Sequence, residues 1–299
     1  MSLPLSDVIN GDGAKFLNKY GSSKRNMLNA LKNGEIPLMY LSREIRDDKE
    51  VAMACIKKNG FNFRYVSERL REDEEVVRLG VKYDKNALKY VGDKFRLDKD
   101  IALEAVSNFG DAFALVNKKL KNDMDIIKAA VQNSELALRD VPAKFKSNKE
   151  IGLLAVSNFG LALRHLSPEL QDDDDIVWAA VKQDGKVLMN VSMRWRENKE
   201  FVIAALAKVG EGLFLVPSKL RGDKDVLNSI RDYLMSDKLV NSFSDKVFFE
   251  AKENLLRYDA QDKREKELLT RLADLDKLQA QQQNSNNQTK TEVKARRKI

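Results

Sequence analysis

Cys55 and His165 are the only cysteine and the only histidine in the chain, and both are residue types that carry nucleophilic or metal chemistry. A thiol and an imidazole can form a nucleophile–base pair or contribute to a zinc site. A zinc site needs at least three protein ligands, and these two residues lie far apart in the sequence. Neither a glycine-rich phosphate loop nor a nucleophile elbow accompanies them. We therefore predict no catalytic residue, no cofactor and no metal site, and we do not expect an enzyme.

Four consecutive acids, Asp172–Asp175, form the most obvious candidate for a cation site. Calcium loops space their oxygen ligands along the chain and place a glycine at the bend. This run has neither feature. Similar acids recur at the same place in a longer pattern, so we interpret the run as the solvated start of a helix.

That longer pattern is a repeat of 25 residues, which determines the fold class. Counting back 25 residues from Asp48 places the start of the first repeat at Ser23, so eight repeats cover residues 23–222. Positions are counted from the first residue of each repeat. The acid or amide at position 1 falls at Asp48, Asp73, Asp98, Asp123, Asn148, Asp173, Asn198 and, in a partial ninth repeat, Asp223.

Each repeat begins with the pattern of a capped amphipathic helix. Position 1 carries an N-cap side chain, and position 3 is almost always acidic. Positions 4, 5, 8 and 9 are apolar, and position 8 is small, which predicts a close approach by a neighbouring helix. Glycines near position 13, such as Gly60 and Gly110, are expected to end the helix in the left-handed conformation.

The second half of the repeat cannot be one continuous helix. Its apolar positions 16, 19 and 23 have helical spacing, but Pro142 and Pro217 occupy position 20 and Pro168 occupies position 21. A proline inside a helix costs about 3 kcal/mol. We therefore predict a short helix followed by a separate tight turn.

Stacked repeats of this kind predict an all-α fold, a right-handed α-solenoid of eight 25-residue helical repeats with a long C-terminal helix. We assign residues 1–22 to an N-terminal cap, 23–235 to the repeats, 236–280 to a capping or projecting helix, and 281–299 to a disordered basic tail. The C-terminal helix should begin at Ser244 and end near Gln283. Its second half keeps a leucine stripe that is consistent with a short coiled coil: Leu268, Leu269, Leu272, Leu275 and Leu278.

The repeat pattern resembles a known family. The second repeat contains Asp48-Lys49-Glu50-Val51, then Asn59-Gly60, Tyr65-Val66-Ser67 and Leu70-Arg71. This pattern is similar to the repeat family catalogued as a domain of unknown function, number forty-one-sixteen. The resemblance covers the repeats and implies a helical solenoid of the kind seen in some bacterial effectors and in protists. It implies no activity and no site residues.

The composition limits where the protein acts. The net charge is +7, mildly spread over the repeats with a concentration in the tail. No apolar run is long enough to span a bilayer, and the N-terminus lacks the pattern of a signal peptide. A single cysteine fits a reducing compartment. We expect a cytoplasmic protein without a membrane partner. The alternatives are a secreted effector and a virion-associated protein.

Positions 17 and 18 form the first candidate binding surface. Aromatic rings beside cations suit protein hot spots and also stacked bases. Later repeats place Leu115, Asp140 and Asn190 at position 18, so this surface varies while the core does not. Such variation is typical of a recognition face and also of an unconstrained surface. The candidate residues are Tyr40, Arg64, Tyr65, Lys89, Tyr90, Arg139, Arg164 and His165.

Positions 22 and 24 form the second candidate surface, two columns of positive charge that Glu169 interrupts. Such columns suit the phosphates of a nucleic acid. Alternatively, acids at positions 1 and 3 of the next repeat neutralise them. The candidate residues are Arg69, Arg71, Lys94, Arg96, Lys119, Lys121, Lys144, Lys146, Arg194 and Arg196, followed by Lys219 and Arg221.

These surfaces lead to three hypotheses. The first is a protein–protein interaction scaffold, a binding module that presents an extended solenoid face to a protein partner. The second is a nucleic-acid-binding protein that uses the basic columns and the basic tail. The third is a structural subunit of a larger assembly, with homo-oligomerisation through the C-terminal helix.

Overall fold

The computed structural model describes residues 29–30, 33, 36–209, 212–235 and 245–296, with side chains in the last segment described for 247–273 and 277. Every regular element in these ranges is a helix, which confirms the all-α class. The chain forms two compact units, residues 1–195 and residues 196–299. The predicted cap, 1–22, lies outside the described residues, and the predicted boundary at 235 stays a prediction.

The first half of each repeat is an α-helix that begins directly after its capping residue. The Asp73 carboxylate accepts hydrogen bonds from the backbone N–H groups of Glu75 and Val76, and the Asn148 amide oxygen accepts one from Ile151. These bonds satisfy donors that have no partner inside the helix, which confirms the predicted caps. The helices in the N-terminal unit are Lys49–Lys58, Glu74–Tyr83, Lys99–Asn108, Met124–Asn133, Lys149–Asn158 and Asp174–Gln183.

The core consists of these helices packed in chain order, each against the next. Val76, Val77 and Val81 at positions 4, 5 and 9 are buried. At position 8, Gly80 lies under the ring of Phe63 from the preceding repeat, and an added Cβ would be 2.7 Å from the Phe63 Cγ atom. The predicted close approach at position 8 is confirmed.

The glycines at position 13 serve a different purpose from the predicted one. Gly212 alone has a positive φ among the described residues, so the left-handed helix ends expected at Gly60 and Gly110 are wrong. Gly110 and Gly160 instead begin the next helix in close contact with the following repeat. A Cβ on Gly110 would lie 2.5 Å from the Ala130 carbonyl oxygen, and one on Gly160 would lie 2.6 Å from that of Ala180.

The second half of the repeat is a short, mostly 3-10, helix followed by a one-turn helix. The predicted short helix is confirmed, and the predicted tight turn is itself helical in most repeats. Pro168 occupies its first turn and Pro142 its N-cap, where the missing N–H is not needed. The first set is Leu38–Tyr40, Gly60–Tyr65, Ala87–Lys89, Gly110–Leu115, Ala137–Asp140, Gly160–His165 and Gly185–Met189; the second is Arg43–Arg46, Glu68–Arg71, Asp93–Phe95, Ala143–Lys146, Pro168–Gln171 and Met193–Arg196.

The C-terminal unit ends in a long helix whose first part is packed. Phe248, Ala251 and Leu255 are buried, and the Tyr258 hydroxyl donates a 2.8 Å hydrogen bond to the Gly222 carbonyl oxygen. The last helix therefore covers the helices that precede it in this unit. The elements are Lys199–Val209, Leu213–Leu215, Ser218–Arg221, Lys224–Ser229, Arg231–Met235 and Asp245–Arg296.

The last helix departs from the sequence expectation in two ways. It continues to Arg296, so the expected end near Gln283 and the start of a disordered tail at residue 281 are wrong. The physical reason is that residues 245–296 contain neither glycine nor proline. Leu256, next to the buried Leu255 in the part predicted to cap the repeats, is exposed. No helix in the described ranges combines the length and the apolar character needed to cross a membrane.

Gly110→Ala tests the close approach at position 13. We expect the substitution to lower the free energy of unfolding by about 1–3 kcal/mol, because the new methyl group would be forced against backbone atoms. Gly222→Ala is the matched control: the nearest atom to its Cβ would be the Asn254 Nδ2, 3.9 Å away. That change should stay within about 0.5 kcal/mol of the parent. Urea unfolding followed by circular dichroism measures both, and equal losses would contradict the close approach.

Candidate interaction surface

The short helices in the second half of the repeats create a continuous face in the N-terminal unit. Gly60–Tyr65 contacts Leu38–Tyr40 and Ala87–Lys89, and the contacts continue in chain order to Gly185–Met189. Residues three apart in a 3-10 helix project from the same side, so position 14 joins position 17. We define the variable face as the side chains at positions 14, 17 and 18 of these repeats.

Aromatic rings surround one cation on the variable face. The Arg64 guanidinium carbon lies 4.7 Å from the ring centroid of Phe61, 5.3 Å from that of Tyr65 and 5.4 Å from that of Tyr90. The Lys89 ammonium lies 5.8 Å from the Tyr90 ring. Each such contact contributes about 0.5–1 kcal/mol at an exposed site. The structure thus brings Arg64, Tyr65, Lys89 and Tyr90, all predicted, together from two neighbouring repeats.

The remaining predicted residues of the face lie outside this cluster. Tyr40 is half-buried at the end of the preceding short helix. Arg139 approaches the carboxylate of Asp140 only to 4.0 Å. Arg164 pairs with Glu135 at 3.2 Å and donates a hydrogen bond from Nε to the Nε2 atom of His165. Burial, and then the charge of Arg164, lower the pKa of His165, which favours the neutral imidazole.

Exposed apolar side chains on the same face were missed by sequence reasoning. Phe61 at position 14 is 46% exposed, although it packs edge-on against Tyr65. The signal was present in the sequence, because position 14 differs between repeats as much as positions 17 and 18 do. The exposed apolar residues at these three positions in the N-terminal unit are Met39, Phe61, Leu115, Leu136 and Met189.

The cations at position 24 have a structural role that the sequence did not indicate. Four of them donate to the backbone carbonyl oxygen at position 17 of their own repeat, for example Arg71 to Arg64 at 2.8 Å and Lys121 to Ala114 at 3.0 Å. Lys146 and Arg221 make the same bond, and the uncharged Gln171 does so in its repeat. Carbonyls at a helix end lack a partner inside the helix, so these side chains cap them. Arg96 pairs with Asp93 instead.

The cations at position 22 have different partners from the predicted ones. Arg69 pairs with Asp47 at 3.1 Å, and Arg194 pairs with Asp174 at 2.5 Å and Asp172 at 3.5 Å. The shared partner is an acid at position 25 of the preceding repeat, so the expected pairing with positions 1 and 3 is wrong. Lys94 and Lys144 lie over the rings of the residues that follow them. Arg196, the position-24 cation of the same repeat as Arg194, is half-buried at the start of the C-terminal unit.

Lysine at position 2 forms ion pairs with the acids that were expected to neutralise the basic columns. The Lys49 ammonium lies 2.9 Å from both Asp73 and Glu75, at positions 1 and 3 of the next repeat. The hydrogen bond from Lys49 lowers the pKa of Asp73. Lys99 and Lys149 form the same bridge. A single exposed ion pair contributes little to the stability of the fold, and these pairs recur at every second junction between repeats.

The residues that could have supported chemistry are also used by the fold. Cys55 is buried, burial raises its pKa to about 11, and its thiol donates to the Ile36 carbonyl oxygen. A protonated, buried thiol is a poor nucleophile. In the acidic run, Asp173 caps a helix and both Asp173 and Asp175 bind Lys149. No cluster of three or more metal-binding side chains occurs in the described part of the chain.

Comparison with known families identifies the repeats. Six windows match the family model described as Domain of unknown function (DUF4116): residues 24–71, 73–121, 98–146, 123–171, 148–196 and 173–221. The chain belongs to this family. Successive DUF4116 windows from residue 73 onward are offset by 25 residues, and each spans two repeats. No curated protein and no solved structure matches the chain.

Lys121→Met tests whether position 24 stabilises this DUF4116 chain. We expect the free energy of unfolding to fall by about 1 kcal/mol, because the Ala114 carbonyl oxygen loses its hydrogen-bond donor. Lys119→Met, at exposed position 22 of the same repeat, is the matched control and should stay within about 0.5 kcal/mol of the parent. Urea denaturation of the three proteins gives the comparison. Indistinguishable midpoints for the two variants would refute the capping role.

Proposed function

We propose that this chain is a protein–protein interaction scaffold that presents the variable face to a protein partner. The observation that carries the proposal is the concentration of exposed aromatic and aliphatic side chains at positions 14, 17 and 18. Protein hot spots are enriched in tyrosine and arginine, and the cluster around Arg64 contains both. Positions 1, 2 and 24 are used for helix caps and inter-repeat bridges, and positions 4, 5, 8 and 9 for the core, so none of these is free to vary in the way that this face does.

The architecture that suits this function is a right-handed α-solenoid of eight repeats over residues 23–235. Support comes from the contacts between consecutive helices and between consecutive short helices in the N-terminal unit. We further propose that the protein is not an enzyme and that it acts in the cytoplasm. The burial of its single thiol, Cys55, and the use of Asp173 and Asp175 in ion pairs support the first point.

Replacing the four side chains of the Arg64 cluster tests whether the variable face binds a protein partner. We expect at least tenfold less partner to be captured by a variant that lacks these side chains, because they supply the main contacts. The variant combines Arg64→Ala, Tyr65→Ala, Lys89→Ala and Tyr90→Ala. The measurement is affinity capture by the tagged full chain with quantitative mass spectrometry, and circular dichroism checks that helicity is unchanged.

A control variant replaces three cations and one aromatic residue outside the variable face in the same two repeats. Lys57, Lys58, Lys82 and Tyr83 lie at exposed positions at the ends of the long helices. Their replacement by alanine should leave capture unchanged. Full capture by the cluster variant, or equal losses by both variants, would show that the variable face is not the binding surface.

A second role, self-association, is favoured by exposed leucines on the last helix. Leu268, Leu269 and Leu272 are 59%, 59% and 56% exposed, and their spacing places them along one stripe. Such a stripe is stabilised when a second helix covers it. We propose that the last helices of two copies pair there, which would make the chain a structural subunit of a larger assembly.

Light scattering of the full chain over a dilution series tests this pairing. The parent should show twice the mass of one chain, and Leu268→Lys combined with Leu272→Lys should reduce the mass to one chain. Thr270→Lys, an exposed change on the same helix, should keep the dimer mass. A parent that is monomeric throughout the series would rule the pairing out.

A further inference from the structure

Basic side chains outnumber acidic ones on the variable face. Position 17 carries Arg64, Lys89, Arg139 and Arg164, whereas acids occur only at Asp111 and Asp140 in the N-terminal unit. Asp111 accepts a hydrogen bond from Ser134 and lies 4.0 Å from Lys85, Asp140 lies 4.0 Å from Arg139, and Arg164 pairs with Glu135. The face is therefore basic overall, and its chemistry selects for negative charge in whatever binds there.

Two of these cations have no carboxylate partner among the described residues. The contacts of Arg64 are with three aromatic rings, and the Lys89 ammonium lies over Tyr90. A guanidinium that packs against rings keeps its N–H groups for acceptors in its own plane, and a carboxylate matches that geometry. The cluster thus offers a rigidly held donor beside exposed apolar surface.

We propose that the variable face binds an acidic segment of a protein partner. Its carboxylates pair with Arg64, Lys89 and Arg139, and its apolar side chains contact Phe61, Leu115 and Leu136. This inference rests on the proposed scaffold function and specifies the chemistry of the partner. Helices pack about 8–10 Å apart, and an extended chain rises about 3.3 Å per residue. A carboxylate at every third residue of an extended segment therefore meets one repeat after another.

The observations favour an acidic protein segment over a nucleic acid. The exposed side chains of Leu115 and Leu136 suit aliphatic partners better than flat bases. The position-24 cations, which would have extended a phosphate track, are held against the carbonyl oxygens at position 17. Nucleic acid is accordingly one outcome of the test.

Fluorescence anisotropy with three probes tests the proposal on the full chain. The first probe is a labelled peptide with Glu at every third residue and Leu and Ser between. The second has Lys in place of Glu, and the third is a single-stranded oligouridine. We expect the Glu peptide to bind at least tenfold tighter than the Lys peptide, with affinity that falls as salt is added. Arg64→Ala with Lys89→Ala should weaken the Glu peptide at least tenfold, whereas Lys57→Ala with Lys82→Ala should not.

A charge reversal keeps the test independent of any loss of fold. Arg64→Glu with Lys89→Glu should prefer the Lys peptide, which a misfolded protein would not do. Equal affinity for the two peptides, or no affinity for the Glu peptide, overturns the proposal. Oligouridine binding that exceeds peptide binding and disappears in the Arg64 and Lys89 variant also overturns it, in favour of nucleic acid. If the cluster variant loses captured proteins but the Glu peptide does not bind, the scaffold stands and only the acidic partner class is wrong.

Discussion

The close approach of each repeat to the next is the constraint on which the structure depends. At position 8, Gly80 lies under the Phe63 ring of the preceding repeat, and at position 13, Gly110 touches the backbone of the following repeat. Positions 4, 5, 9 and 16 fill the same contact, and positions 1, 2 and 24 cap or bridge it. Most side chains at positions 14, 17 and 18 lie outside this close contact, although Arg64 and Asp111 touch the neighbouring repeat. The variable face is therefore a consequence of stacking as well as a candidate for recognition.

Features that depend on neighbours in the sequence could be predicted. The 25-residue period, the capping residue and the small residue at position 8 each follow from local helix chemistry, and the cluster of Arg64, Tyr65, Lys89 and Tyr90 follows from their shared positions. The prolines at positions 20 and 21 correctly excluded a single long second helix, since each lies at the start of a new turn.

Features that depend on a partner in another repeat could not be predicted. A glycine after a helix is equally consistent with a left-handed cap and with a close contact, and only the position of the Ala130 carbonyl decides between them. No sequence rule links a cation to a carbonyl oxygen seven residues earlier, as in the bond from Lys121 to Ala114. Asn62 is the same kind of case: it is buried and accepts a hydrogen bond from the Leu38 N–H of the preceding repeat, whereas later repeats have alanine, valine or glycine at this position.

The ion pairs of the lysine at position 2 limit which repeats can be removed from the chain without losing a contact between repeats. Lys49, Lys99 and Lys149 alternate with Glu74, Met124 and Asp174, and each lysine faces an aspartate at the start of the next repeat. Two of the repeats that follow a position without lysine begin with an uncharged amide, Asn148 and Asn198. Removing residues 123–147 alone would place Lys99 opposite Asn148 and remove one of its two carboxylates. Removing a pair of repeats would restore the match, so duplication and loss in blocks of two preserve every junction.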